Sequence, residues 1–457
     1  MIEMAKELTA SQYHEKDRSS IWHAMRADQN AKSLIAKKAE GAWITDNEGN
    51  KYLDAMAGLW CVNAGYGRKE LADVAHKQLM EMPYFPLTQS HEPAIELAQK
   101  LNEWIGDDDY VFFFSNSGSE ANETAFKIAR QYHHQTGDAS RFKFIARYRA
   151  YHGNTMATMA AGGQNQRAYK YEPLSPGFLH VTPPDSYRVP KGETPESWAI
   201  QCANEIEQVI KWEMKETIAA VIMEPMITGG GILIPHDSYM RRVREICDEY
   251  GVLLISDEVI NGFGRTGKKF GFQHSGVKPD IISMAKGITS AYLPLSATAV
   301  RRDIYEKFQG SDEYDHLRHV NTFGGNPAAC ALAIKNLEIM EEEKLVERSA
   351  ELGDRLLDEM KELEELPYVG DVRGRGLLFG IEMVKDKETK EPLEGDMLAK
   401  IVGGCKQDGL IIGKTADTAA GNNNIITLSP PLSITEDDFQ FIVKTIKKHV
   451  KEQVANA

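Results

Sequence analysis

Two charged residues follow short apolar runs in one stretch of the chain. Asp257 comes after Val252–Ile255, and Lys286 comes after Ile281–Met284. A lysine can form a Schiff base with an aldehyde, and an aspartate can pair with a ring nitrogen and keep it protonated. An amine and a carboxylate in these roles are what a protein contributes to pyridoxal phosphate chemistry. A surface ion pair at two strand ends would use the same residue types, so this stretch alone leaves both interpretations open.

The elements that carry Asp257 and Lys286 are predicted to be buried parallel strands. Both apolar runs are short and rich in β-branched residues, which is typical of strands covered on both faces. In an open parallel sheet, ligands bind beyond the carboxyl ends of the strands. A charged residue at such a position needs a partner. We therefore expect the two side chains to meet at one edge of the sheet.

A second motif has the residue types of a phosphate site. The predicted strand Val111–Phe114 leads into Ser117, Gly118 and Ser119, and a helix with an apolar stripe follows. Small residues between a strand and a helix leave backbone N–H groups and hydroxyls pointing at one spot, where the helix dipole adds positive potential. An ordinary helix N-cap at Ser117 or Ser119 would produce the same pattern.

The rest of the chain predicts an α/β fold with two domains. Strand and helix patterns alternate over residues 68–330, which favours a largely parallel sheet flanked by helices, the large cofactor-binding domain. After it come long helices and a second βα region from Val369 onward. Residues 1–67, with an N-terminal arm and a hairpin at Asp46–Asn50, are predicted to join residues 331–457 in a smaller α+β domain.

Composition indicates a folded enzyme of the cytoplasm. The 457 residues are 42% hydrophobic and 26% charged, and the net charge of −14 argues against nucleic acid or an anionic membrane as partner. The five cysteines show no CxxC spacing, which favours reduced thiols. No metal site is expected, because no HxxxH or HExxH pattern occurs, and His133 and His134 are predicted to be solvated. No run approaches the roughly 20 apolar residues of a membrane span.

One glycine-rich segment imitates a nucleotide site. Gly262–Gly267 satisfies GxGxxG after a strand, and the two lysines that follow nearly complete a P-loop. Lys269 stands where a P-loop needs a Ser or Thr for magnesium. The residues after Gly267 show no helical period, although a dinucleotide fingerprint must open a helix. A nucleotide-dependent enzyme is therefore kept only as a remote alternative.

Further motifs extend over nearly the whole chain, in the order GLWCVNAGYG, NSGSEAN, YRAYHG, MEP, SDEVINGFGRTG, SMAKG, NTFGGNP and LSPPL. Taken together, they resemble the class III, or omega, aminotransferases of pyridoxal phosphate fold type I. The LWCVN run looks most like the amine, β-alanine and taurine:pyruvate branch. The resemblance implies an aspartate aminotransferase-like large domain, whose sheet has seven strands. It also implies a transaminase that moves an amino group to pyruvate by a ping-pong scheme.

The resemblance also implies a role for each residue around the cofactor ring. Lys286 would form the Schiff base with the cofactor and, once released, shuttle a proton between the substrate Cα and the cofactor. Asp257 would pair with the pyridine nitrogen. Tyr151 would stack on one face of the ring and Val259 on the other, while Glu224 would help to set the site beneath it.

Other implied roles concern the phosphate, the partner subunit and the substrate. The phosphate would be held by Ser117, Gly118 and Ser119. Thr322 would reach that phosphate from the neighbouring subunit, so the active site would require a homodimer, or a tetramer built from it. The residues implied to line the amine-side pocket are Trp60, Phe85, Trp22 and Tyr151.

One departure from the family pattern concerns the keto-acid acceptor. Many relatives carry an arginine after an apolar Leu-Ile pair, where it binds the acceptor carboxylate. Gly413 takes that place here, and Lys414 cannot offer the two-pronged grip of a guanidinium. Either another arginine serves, or acceptor recognition differs. The donor stays open among taurine, β-alanine and primary amines of the arylalkylamine type, and an aminomutase or decarboxylase of the same fold stays an alternative.

Overall fold

The computed structural model describes residues 8–26, 28, 30–393, 396–415 and 421–456. Within these ranges the strands are β1 (Ala36–Glu40), β2 (Trp43–Asp46), β3 (Lys51–Asp54), β4 (Tyr110–Ser115), β5 (Lys143–Arg147), β6 (Phe178–Val181), β7 (Ile218–Met223), β8 (Leu253–Asp257), β9 (Ile281–Met284), β10 (Ser296–Arg301), β11 (Val369–Arg375), β12 (Leu378–Asp386), β13 (Glu391–Pro392), β14 (Leu410–Ile411), β15 (Gly413–Lys414) and β16 (Ile425–Leu428). The α-helices in the same ranges are α1 (Ala10–Ser20), α2 (Ala57–Trp60), α3 (Lys69–Glu81), α4 (Glu92–Ile105), α5 (Gly118–Gln135), α6 (Met156–Ala161), α7 (Asn165–Ala168), α8 (Pro195–Trp212), α9 (Ser238–Tyr250), α10 (Arg302–Tyr305), α11 (Pro327–Glu342), α12 (Leu345–Lys361), α13 (Asp396–Gln407) and α14 (Glu436–Ala455).

The central sheet is mostly parallel. Among the described residues it has seven strands, in the order β4-β10-β9-β8-β7-β5-β6. The pairs from β6 through β5, β7 and β8 to β9 are parallel, whereas β10 runs antiparallel to both β9 and β4. Every residue of β7, β8 and β9 is buried, because these continuous apolar runs are covered on both faces. The predicted α/β class with a mostly parallel, helix-flanked sheet is confirmed.

Helices cover the two faces of this sheet through alternate residues of the strands. On one face Ile222 packs in a cluster with Phe126 of α5. On the other face Val221 packs in the main core with Ile206 of α8 and Val243 of α9. Because neighbouring residues of a strand point to opposite faces, one apolar run supplies both layers. The two helical layers hold β8 and β9 in place, and with them the residues at the carboxyl ends of these strands.

Two smaller sheets lie outside the central one. One has the order β1-β2-β3-β14, and the other has the order β11-β12-β16-β15 with β13 beside β12. The antiparallel β2–β3 pair is the hairpin predicted around Asp46–Asn50. In the same sheet β3 pairs in parallel with β14, so that Leu53 lies opposite Leu410. Strands from both chain ends therefore share a sheet, while the exact domain boundaries at residues 67/68 and 330/331 stay a prediction.

Two further properties concern the described ranges as a whole. No helix within them combines the length and the apolar composition needed to cross a membrane. All five cysteines are free thiols, and four of them are buried in the core.

Candidate active site

A cavity of about 520 Å³ lies where the parallel strands end. The side chain of Asp257, the last residue of β8, is on its wall, and so is Lys286, two residues after the end of β9. The two strands are neighbours and parallel, so their carboxyl ends reach the same edge of the sheet. The sequence-based expectation that the amine and the carboxylate meet at one site therefore agrees with the geometry.

The Asp257 carboxylate is held by three donors. Its Oδ2 atom accepts hydrogen bonds from Asn122 Nδ2 and His152 Nδ1, each at 2.8 Å, and its Oδ1 atom accepts the backbone N–H of Val259 at 3.1 Å. Asn122 also donates to the backbone carbonyl of His152 at 2.8 Å. All three side chains that meet here are buried, which makes each of these bonds more valuable than it would be in water. The charge of Asp257 is thereby fixed in position.

Lys286 has an unusual backbone and a shifted amine. Its φ of 50° lies in the left-handed region, which a residue other than glycine occupies only when its surroundings force it. Burial lowers the pKa of the Lys286 amine below its ordinary value, and the carboxylates of the cavity oppose that shift only in part. Such strain and such a shift concentrate at functional sites. An amine with a lowered pKa is unprotonated in a larger fraction of molecules near neutral pH, and the unprotonated form is the one that acts as nucleophile or base.

The start of α5 forms a polar cradle at the cavity wall. Ser117 is the N-cap of this helix and accepts the backbone N–H of Glu120 at 3.3 Å, so the N-cap interpretation is correct. Ser117, Gly118 and Ser119 also line the cavity, so the cap and the cradle are the same turn. Ser119 Oγ donates to Asn154 Oδ1 at 2.9 Å. The helix dipole and the N–H groups of this first turn favour an anion there.

Gly118 is required by the packing of the opposite wall. A Cβ atom at this position would lie 2.9 Å from both methyl carbons of Val259. Val259 also donates its backbone N–H to Asp257, so it joins the cradle to the carboxylate. Val259 lines the cavity, and its packing against a cofactor ring stays a prediction.

Tyr151 and Glu224 form a further part of the wall. The backbone N–H of Tyr151 donates to Glu224 Oε1 at 3.1 Å, while Glu224 Oε2 accepts from Thr228 N at 3.0 Å and Thr228 Oγ1 at 2.6 Å. Burial raises the pKa of the Glu224 carboxyl. The guanidinium of Arg167 lies over the Tyr151 ring, 5.2 Å from its centroid. The tyrosine is thus held from its backbone and from one side of its ring.

The structure separates the predicted site residues into two groups. Trp60 lines the cavity together with the residues described above. Trp22 is 92% exposed, Phe85 is 42% exposed and Thr322 is also exposed, and none of the three lines this cavity of the single chain. Their assigned roles stay predictions.

The glycine-rich segment Gly262–Gly267 has a structural role. Arg265 within it is fully buried and donates to Asn63 Oδ1 at 2.7 Å and to the carbonyl oxygens of Pro430 and Leu377. The segment is followed by a short 3₁₀ turn at Gly271–His274 and does not open a helix. The segment therefore joins the central sheet to the C-terminal part of the chain. It lacks the helix that a nucleotide-binding glycine motif must open.

Sequence reasoning missed several polar residues of the cavity. Asn122 and His152 lie inside motifs that were recognised, but their contacts with Asp257 depend on how α5 and the loop after β5 pack. Asn154, Gln164 and Arg167 also line the cavity. Gln164 and Arg167 belong to the four-residue helix α7 and its N-cap, which is too short to show a periodic pattern.

Comparison with known proteins identifies the family and agrees with this fold. Residues 24–450 match the family model described as aminotransferase class-III, and the chain belongs to this family of enzymes. Class III aminotransferases depend on pyridoxal phosphate, and aminotransferases use an amine donor and a keto-acid acceptor.

Individual relatives share nearly the full length of the chain. An uncharacterized aminotransferase of Bacillus subtilis, YhxA, is 66% identical over 95% of both chains. The taurine–pyruvate aminotransferase of Bilophila wadsworthia is 43% identical over 94% of this chain and 95% of its own. The solved structure of an aminotransferase from Bacillus anthracis is 60% identical, with a TM-score of 0.94 over 98% of this chain and all of that one.

Proposed function

We propose that this aminotransferase binds pyridoxal phosphate between Asp257 and Lys286 and transfers an amino group from an ω-amino acid or primary amine to pyruvate. The observation that carries the proposal is the fixed carboxylate of Asp257 in the same cavity as the Lys286 amine. The taurine–pyruvate activity of the 43% identical relative supports pyruvate as acceptor and an ω-amino acid as donor.

The residues present fit the cofactor. The cavity of about 520 Å³ has room for a substituted pyridine ring. A carboxylate, an amine and the anion cradle at the start of α5 all line this cavity. The absence of a side chain at Gly118 keeps Val259 in place beside that cradle. Ser117, Gly118 and Ser119 would hold the phosphate, Asp257 the ring nitrogen and Lys286 the aldehyde carbon, with Tyr151 and Val259 on the ring faces.

The chemistry divides between the cofactor and the chain. When bound, pyridoxal phosphate supplies an aldehyde that accepts the amino group and a ring that withdraws electrons from the reacting carbon. Lys286 Nζ takes the proton from the substrate carbon and returns it, which its lowered pKa favours near neutral pH. Asp257, oriented by Asn122 and His152, stabilises a positive charge on the ring nitrogen.

A homodimer is part of the proposal. Thr322 is exposed beside Phe323, which is 63% exposed and contacts Tyr84 with 6.2 Å between ring centroids. Phe85 adds a further exposed aromatic side chain. A contiguous aromatic surface of this kind favours a protein interface, and a second copy there would bring Thr322 toward the partner's phosphate cradle. Sedimentation of the Phe323→Glu variant should show that the dimer dissociates into monomers. Thr322→Val should weaken the affinity for the cofactor about tenfold, whereas Thr136→Val, at another exposed threonine, is the control and should leave it unchanged.

A donor screen tests the reaction itself. The purified protein, loaded with pyridoxal phosphate, is incubated with pyruvate and with taurine, β-alanine or 1-phenylethylamine, and alanine is measured together with carbon dioxide. Formation of alanine from at least one donor, without carbon dioxide, is the expected result. Carbon dioxide release, or amino-group migration without alanine, would instead identify a decarboxylase or an aminomutase of the same fold.

A further inference from the structure

Arg167 is a cation of the active-site cavity that lacks a counter-ion. Among the described residues that line the cavity, Lys286 and Arg167 are the lysine and arginine side chains. The Nε atom of Arg167 is buried and has no hydrogen-bond partner in the described part of the chain. No carboxylate of the described residues forms an ion pair with its guanidinium. Its neighbour is the Tyr151 ring, 5.2 Å from the guanidinium carbon, which orients the side chain without neutralising its charge.

The carboxylates of the cavity are already engaged elsewhere. Asp257 accepts from Asn122, His152 and the backbone of Val259. Both oxygens of Glu224 accept from other donors, one from the Tyr151 N–H and the other from two atoms of Thr228. Arg167 is half-buried, and the carboxylates nearest to it in the cavity already accept from other donors. Its guanidinium is therefore available to an anionic group that enters the cavity.

Gly413 takes the place at which many relatives carry an arginine, and neighbouring side chains crowd the space around it. A Cβ atom at Gly413 would lie 2.5 Å from Thr427 Oγ1 and 2.7 Å from Met56 Cε. Lys414, the next residue, is exposed and does not line the cavity. The sequence places no arginine at Gly413 or Lys414, and a side chain at Gly413 would require Thr427 and Met56 to move.

We propose that Arg167 binds the acidic group of the substrate, namely the carboxylate of the keto acid and the carboxylate or sulfonate of an ω-amino donor. This inference rests on the proposed function, because it concerns the substrates of that reaction. The planar guanidinium can donate two parallel hydrogen bonds to either group. Arg167 is a specificity residue: it selects acid-bearing substrates over neutral amines, and it is not assigned a proton-transfer role.

The experiment compares three variants as cofactor-loaded enzymes. Arg167→Gln removes the charge, and Arg167→Lys keeps the charge but loses the two-pronged grip. Arg241→Gln is the matched control, because Arg241 is exposed on α9. Each half-reaction is followed separately, with pyruvate, taurine, β-alanine and the neutral donor 1-phenylethylamine. Equilibrium titrations with propionate and ethanesulfonate, which carry the acid but no amino group, measure binding without turnover.

In Arg167→Gln, the efficiency with taurine or β-alanine relative to 1-phenylethylamine should fall at least about tenfold, and so should the affinity for propionate or ethanesulfonate. Arg167→Lys should lie between this variant and the parent. A loss confined to pyruvate, or one confined to the acidic donors, would overturn the half of the proposal that concerns the other substrate. Unchanged ratios and unchanged titrations would overturn the proposal.

Two further measurements separate a role of Arg167 in substrate binding from a role in cofactor binding and from failure of the proposed function. If cofactor affinity falls about tenfold while the substrate ratios hold, Arg167 serves the phosphate and the proposal is wrong. If the parent enzyme makes no alanine from pyruvate with any donor, the proposed function fails. The propionate and ethanesulfonate titrations still test Arg167 in that case, because they require no turnover.

Discussion

The Nδ1 atom of His152 lies 2.8 Å from the Oδ2 atom of Asp257, and both side chains are buried. Because an ionised carboxylate can only accept, the ring hydrogen must be on Nδ1. The Nε2 atom is also buried and has no partner within the described part of the chain. The histidine therefore holds the carboxylate in one orientation, and the first prediction concerns that carboxylate.

Asp257→Asn should reduce amino-group transfer by about 10- to 100-fold. The substitution keeps the shape of the side chain but removes the negative charge, and a hydrogen bond to a charged group is worth about 1.5–3 kcal/mol. Single-turnover kinetics with a saturating donor measure the effect. A variant within threefold of the parent would show that the carboxylate does not act on the cofactor ring.

Lys286→Ala should abolish turnover, and the cofactor-free variant should be at least as stable as the parent. Removing the amine ends proton transfer at the substrate carbon and also removes a buried polar group. Lys268→Ala, an exposed lysine in the preceding loop, is the control and should leave both properties unchanged. Turnover and thermal unfolding are measured side by side; transamination by the alanine variant near the parent rate would refute the assigned base.

Gly118→Ala should weaken cofactor binding about tenfold or more. The new methyl group would lie 2.9 Å from both Val259 methyl carbons, and such overpacking costs about 1–3 kcal/mol. Relief requires Val259 or the start of α5 to move, which disturbs the phosphate cradle. Gly403→Ala on α13 is the control, since a Cβ there meets nothing within 4 Å. Equilibrium titration with pyridoxal phosphate is the measurement; equal affinities of the two variants would contradict the packing argument.

Glu258 should make the cofactor-free protein less stable as the pH rises from about 4.5 to 7. Burial raises the pKa of Glu258 from 4.5 to about 7, although Gly271 and Phe272 donate backbone N–H groups to it. The unfolded chain therefore loses this proton first, and stability present below pH 4.5 is lost as the pH passes through 7, by about 3 kcal/mol. Glu258→Gln should lack this slope. Urea unfolding across this pH range tests it, and parallel curves for parent and variant would rule it out.

Arg265→Met should lower the free energy of unfolding by about 3 kcal/mol or more. The methionine would leave Asn63 Oδ1 and the Pro430 and Leu377 carbonyl oxygens buried without their donor. Arg241→Met on the surface of α9 is the comparison. Denaturant unfolding gives the difference. Equal stabilities would mean that this buried cation does not join the two parts of the chain.

The parts of the molecule that follow from local apolar pattern were predictable. Ile281–Met284 forms a strand with the predicted bounds, because a run this short and rich in β-branched residues favours a buried strand over a helix. His133 was predicted to be solvated, and that is wrong: it is buried, and its Nε2 atom lies 2.8 Å from the Ala219 carbonyl oxygen. The sequence of α5 does not reveal which neighbouring strand its last turns meet.

The candidate site shows the same division. Asp257 and Lys286 could be proposed from sequence because one ends a recognisable strand and the other lies two residues beyond one. Arg167 was not, because its position over Tyr151 depends on the path of a short irregular segment. Thr322 depends on a second subunit, so its role cannot follow from one chain and stays a prediction.

The parallel pairing of β3 with β14 sets an order of assembly during synthesis. Leu53 leaves the ribosome early, but its partner Leu410 is translated some 350 residues later. Nearly the whole central sheet can form while the N-terminal hairpin still has an open edge. Until translation is almost complete, that edge is exposed to pairing with other chains, so chaperone capture during expression should concentrate on this hairpin.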